Sequence, residues 1–215
     1  MKKIILLLAL GFLCQPLYPQ RTEYPQIGAQ VFIEPGQTDK QIDGFFRILA
    51  QHGFETARIR MFGAHMLRPD GLWDFTLYDK AFDAAGKHGV KLFATLFPPT
   101  DELGDVGGFK FPRSKAHLLE IADYIEAVVS HFRGHPALDT WVLQNEPGTG
   151  GTGPGRNDLT DEVFARWKAA QKTPAYDNGY LKADFTQERF HTDFTTWYLG
   201  WIASQVDLHD PAHHK

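Results

Sequence analysis

From residue 27 onward, short apolar runs alternate with stripes of apolar residues spaced three and four apart, so strands and helices are predicted to alternate along the chain. A first strand over 27–33 is followed by a helix with Thr38 as its N-cap and Ile42, Phe45, Phe46 and Leu49 on one face. Gly53 closes that unit. A second strand over 56–62 leads to a helix over 77–87, with Tyr78, Ala81, Phe82 and Ala85 turned inward and Gly89 at its end. The third strand, 90–97, is an almost continuous apolar run, as expected where both faces are covered. Ser114 caps the clearest amphipathic helix, carrying Leu118, Ile121, Ala122, Ile125, Val128, Val129 and Phe132. After Gly134-His135-Pro136 comes a fourth strand over 138–144, then a Gly-rich loop, a short helix over 160–170, and a helix faced by Phe190, Phe194, Trp197, Tyr198 and Trp201.

This order implies an α/β architecture with a parallel sheet. Long loops at the carboxyl ends of the strands fit a (β/α)8 TIM barrel better than a doubly wound sheet. A complete barrel takes about 250 residues, so the 215 residues hold only the first four βα units. Such a half is expected to fold poorly alone, because its edge strands lack partners.

Composition narrows the picture. A hydrophobic content of 43% and a charged content of 22% are those of a folded globular protein. Lys2 and Lys3 before an apolar run over 4–13 have the layout of a secretory leader, too short to span a bilayer. The expected organisation is a leader over about 1–20 and a half-barrel over 21–215, with an exported, periplasmic or extracellular product and no membrane segment after cleavage. Gly-Phe-Leu before Cys14 does not suit a lipid anchor. Cleavage removes two lysines and the single cysteine and moves the formal charge from -4 to -6, which leaves no disulfide or thiolate metal site. With no basic run there is no footprint for nucleic acid, and oligomeric state is not readable.

The sharpest chemical signal is Trp141-Val142-Leu143-Gln144-Asn145-Glu146-Pro147, an apolar strand ending in an amide, a carboxylate and a strand-terminating proline. At a barrel rim, strand-end side chains face the ligand. Glycoside cleavage needs one protonated carboxyl to donate to the leaving oxygen and one ionised carboxylate to attack the sugar. Glu146 suits the first role, and Asn145 can hydrogen-bond the sugar 2-hydroxyl.

This arrangement resembles clan A glycoside hydrolases, whose acid/base glutamate follows an asparagine at the end of the fourth barrel strand. Within the clan the chain looks most like the family 42 β-galactosidases. Gly53-Phe54-Glu55-Thr56-Ala57-Arg58-Ile59 resembles their second strand, and Gly71-Leu72-Trp73-Asp74-Phe75 with Asp79 the turn and helix start after it. His135-Pro136 and Phe164-Ala165-Arg166-Trp167 match their order as well. The resemblance implies retaining hydrolysis of β-glycosides, with β-galactosides the leading substrates and no cofactor. It implies that Arg58 keeps the nucleophile ionised, Arg60 being a weaker candidate on the same face. It also implies that the nucleophile is a glutamate on a seventh strand, so the 215 residues alone are expected to be inactive. Two departures stand out: Phe62-Gly63-Ala64 replaces the family's Phe-Ala-Trp, and Gly148 to Gly155 replaces its cysteine cluster.

Weaker signals read as ordinary structure. The G-x-G-x-x-G pattern from Gly148 to Gly153 follows the fourth strand, not the first, and reads as a rim loop instead of a dinucleotide turn. His209, His213 and His214 read as a solvated tail, not a metal site. Trp73 and Phe109 are candidate sugar-stacking residues, set against ordinary packing, and Asp101 and Glu102 are candidate subsite acids, set against solvated loop acids. A non-catalytic carbohydrate-binding half-barrel that pairs to close its sheet is the competing reading.

Overall fold

The computed structural model describes residues 26–99, 112, 114–147, 158–170 and 187–215. The predicted leader, Asp101, Glu102, Phe109 and the glycine loop lie outside the described residues. The element order is β1 (Gly28–Gln30), α1 (Asp39–Gln51), β2 (Thr56–Phe62), a 3-10 turn (Gly63–His65), α2 (Thr76–Lys87), β3 (Lys91–Phe97), α3 (Lys115–Phe132), β4 (Leu138–Val142), α4 (Asp158–Ala170) and α5 (Gln187–His209). The strands form one parallel sheet in the order β1-β2-β3-β4.

Local chemistry explains the boundaries. Thr38 and Gln41 form a reciprocal capping box at the start of α1. Ser114 accepts from the His117 amide at the start of α3. Gly53 and Gly89 take positive φ where α1 and α2 end, which releases the chain into the next strand. The first strand is shorter than expected, ending at Gln30. Past that point only the Val31 amide, donating to the Arg58 carbonyl, extends the ladder. The fourth strand also ends early, at Val142 instead of 144.

One side of the sheet is apolar and packed by the helices. Ala57, Ile59 and Met61 of β2, Leu92, Ala94 and Leu96 of β3, and Trp141 of β4 are buried with Tyr78, Phe82, Ile121, Tyr124, Ile125 and Phe132 of α2 and α3. The opposite row runs Arg58↔Phe93 and Arg60↔Thr95 between β2 and β3, and Phe93↔Thr140 and Thr95↔Val142 between β3 and β4. On that side of β3, Phe93 is half-buried but Thr95 and Phe97 are buried, so the expectation of a strand covered on both faces holds for its second half. The register shifts between Leu92 and Phe93, so that Asp139 is skipped. A one-residue shift exchanges the faces of everything downstream. Trp141 therefore lies among the helices, and the chain beyond β4 arrives at the inner side.

The histidine tail is not loose. Asp210 is buried, accepts from Trp141 Nε1 at 2.8 Å, and accepts from the Ala212 and His213 amides and from the His213 ring. His214 makes a parallel bridge with Thr140, and its carbonyl accepts from the Trp141 amide. The segment lies along the free edge of β4 in the direction of a further parallel strand. This corrects the solvated-tail expectation: the Trp141 indole, buried on the helical side, needs an acceptor there.

Candidate active site

Arg58 is the centre of the inner face. Its Nε donates to Thr95 Oγ1 at 2.8 Å, one Nη to Gln30 Oε1 at 3.2 Å and the other to Asn145 Oδ1 at 2.6 Å. One guanidinium thus ties β1, β3 and the end of β4 to β2. Five fixed N–H donors make arginine suited to such a hub. Burial and the neighbouring Arg60 pull its pKa down, while Glu146 opposes them. The carboxylate of Glu146 therefore acts electrostatically on Arg58, across the ends of β2 and β4.

Asn145 is 4% exposed, and its Oδ1 is taken by Arg58, which fixes the amide and leaves Nδ2 as a donor. Glu146 is exposed and has φ of 46°, the single non-glycine residue with positive φ among the described residues. Such a backbone costs about 1–3 kcal/mol and persists where surrounding structure imposes it, commonly at functional sites. The buried Asn145 precedes Glu146, and Pro147 follows, which biases the residue before it toward extended backbone and so does not relieve the strain. The motif read from sequence and the Arg58 strand therefore meet in space, as one constellation.

Arg60 acts on that hub through its charge and places its own guanidinium near two rings. Its guanidinium lies 4.8 Å from the Phe32 ring centre and 5.8 Å from that of Phe97. At the end of β2, a Cβ on Gly63 would meet Pro99 atoms at 2.5 to 2.9 Å. The close approach of the loop after β3 explains why glycine stands at that departure from the family pattern. Two residues on, His65 is half-buried; burial pulls its pKa down and Glu34 opposes this. The Tyr78 hydroxyl accepts from the Phe62 amide at 2.9 Å and meets His65 Nδ1 at 3.4 Å. Trp73, expected as a sugar contact, is half-buried beside the core, 6.5 Å from Phe75 and 5.9 Å from Tyr124 between ring centres.

Gln30, Thr95 and His65 were not among the expected site residues. Gln30 and Thr95 carried a signal nonetheless: each is a lone hydrogen-bonding side chain within an apolar strand core, at a position that shares a face with Arg58. No local pattern marked His65.

No family model matches the chain. A probable mannan endo-1,4-beta-mannosidase F of Aspergillus flavus is 32% identical over 168 residues, covering 64% of this chain and 34% of the relative. Its counterpart in Neosartorya fischeri is 36% identical over 108 residues, covering 46% of this chain and 22% of the relative. Among solved structures, a β-galactosidase from the haloarchaeon Halorubrum lacusprofundi superposes with a TM-score of 0.65 at 21% identity, over 88% of this chain and 36% of that one. A β-galactosidase from the psychrophilic Marinomonas ef1 gives a TM-score of 0.68 at 16% identity with the same coverage.

The likeness to clan A glycoside hydrolases holds. The galactosidase neighbours carry it in the fold, and the mannosidases carry it in sequence over 108 and 168 residues. The chain spans about a third of the length of these relatives, 34% of the Aspergillus flavus protein and 36% of the Halorubrum enzyme.

Proposed function

We propose that the chain supplies the acid/base side of a retaining β-glycosidase built on a (β/α)8 barrel, with its described strands as the first four. The reading rests on one observation: Arg58 holds Asn145 at the end of β4, so that Glu146 emerges there in a strained backbone conformation. Protonated Glu146 donates to the glycosidic oxygen as the bond to the anomeric carbon breaks, and its carboxylate then takes a proton from the water that attacks the intermediate. Asn145 Nδ2 donates to a sugar hydroxyl, in a contact that tightens as positive charge develops on the ring. The nucleophile belongs to a later strand of the whole protein, about 5–5.5 Å from Glu146, where Arg58 would keep it ionised.

Both β-galactosides, suggested by the sequence likeness and the titles of the structural neighbours, and β-mannans, suggested by the names of the sequence relatives, fit this chemistry. The leader pattern at 4–13 supports export, and no described helix is long and apolar enough to cross a membrane. In the full-length protein, Glu146→Gln is expected to abolish turnover of unactivated β-galactosides and β-mannosides. Retention of anomeric configuration in the wild-type product, read by proton NMR, checks the mechanism, and an inverted product would sink it.

A further inference from the structure

Phe32 lies two residues beyond Gln30 on the inner side of the sheet and is 51% exposed, while Val31 and Ile33 on either side of it are buried. A single exposed aromatic is ordinary, but this one is held in place. The Gln37 side chain donates to the Phe32 carbonyl at 3.1 Å and accepts from the Glu34 amide at 2.9 Å, which braces the turn after β1. The Arg60 guanidinium fixes the ring, and ring contacts continue from Arg60 over Phe97, to Phe62 at 4.6 Å and to His65 at 5.0 Å.

His65 closes this row beside the Tyr78 hydroxyl, which accepts from the Phe62 amide and meets His65 Nδ1 at 3.4 Å. In the tautomer whose Nδ1 accepts from that hydroxyl, the neutral imidazole carries its proton on Nε2. Burial of the ring favours that neutral form. An apolar ring face, an imidazole and the Glu34 carboxylate at one rim match a pyranose, which presents C–H faces and a girdle of hydroxyls.

We propose that the ends of β1 and β2 form a further saccharide subsite, with Phe32 as the stacking face and His65 Nε2 as a donor to a sugar hydroxyl. It rests on the glycosidase reading above and deepens it. The subsite is two to three strand spacings of about 4.8 Å from the end of β4. That is too far for the ring being cleaved and suits a neighbouring ring of an extended chain, so the substrate is a β-linked oligosaccharide in preference to a simple glycoside.

The test is the ratio of kcat/KM on β-1,4-mannotetraose and β-1,4-galactotetraose to that on the matching 4-nitrophenyl β-glycosides, measured on the full-length protein. Phe32→Ala and His65→Gln are each expected to lower that ratio at least about tenfold, the effect of roughly one aromatic contact, while Phe32→Tyr keeps it. An unchanged ratio in folded variants overturns the subsite. If Phe32→Ala does not fold, His65→Gln carries the test alone. If the wild type turns over neither class, the function proposed above fails, and calorimetric titration with the same tetrasaccharides still decides the subsite. Binding that Phe32→Ala weakens tenfold supports it, and absence of wild-type binding overturns it.

Discussion

At the scale of single residues, the strain at Glu146 and the hub at Arg58 make opposite predictions. Glu146→Gly removes the cost of a positive φ on a side-chain-bearing residue, offset by about 1 kcal/mol of glycine entropy. The variant is expected to match the wild type or exceed it by up to about 2 kcal/mol in stability to urea while losing activity. Arg58→Met leaves Thr95 and Asn145, both buried, and Gln30 without their donor. Each buried orphan costs about 1–3 kcal/mol, so the same titration should show a clear loss of stability together with loss of turnover. Asn145 and Glu146 were legible because they end an apolar strand abruptly, and Arg58 through the likeness of its strand to that of the family 42 β-galactosidases. The bond between Arg58 and Asn145 was not, since it spans residues far apart in sequence and depends on the register shift that skips Asp139.

At the scale of elements, two tyrosines finish what the sheet ladder leaves undone. Tyr78 of α2 accepts from the Phe62 amide, and Tyr124 of α3 accepts from the Phe97 amide and donates to the Met61 carbonyl. Burial pushes both hydroxyls up in pKa, so they stay protonated throughout the physiological range. Tyr124→Phe is expected to cost about 1–3 kcal/mol, read by chemical denaturation, by orphaning those two backbone groups. Helix periodicity made α1 to α3 readable, with the N-caps Thr38 of α1 and Ser114 of α3. The stripe on α5 drifted: Phe190, Phe194 and Tyr198 are buried, but the row continues to Ile202 and Val206, leaving Trp197 41% exposed. Packing follows the i, i+4 ridge there, and large aromatics beside that ridge drew attention from the smaller residues on it.

At the scale of the whole molecule, the sheet is sealed on its helical side and chemically furnished on the other, and the end of the described chain is pinned to the edge of β4. Asp210 is the pin. Burial raises its pKa, but hydrogen bonds from Trp141, His213 and the Ala212 and His213 amides outweigh this and leave it below the ordinary 3.8. A carboxyl depressed in the folded state contributes stability that is present above the unfolded pKa and is lost as pH falls through the folded one. Stability to heat should therefore fall below about pH 4, and Asp210→Asn should flatten that part of the profile and lower stability at neutral pH. The measurement that tests the central chemistry most directly is azide rescue of Glu146→Ala in the full-length protein, using a dinitrophenyl β-glycoside that needs no acid to leave. A retaining acid/base predicts that azide restores turnover and yields a glycosyl azide of β configuration. Turnover indifferent to azide, with unactivated substrates still cleaved, would remove Glu146 from the reaction.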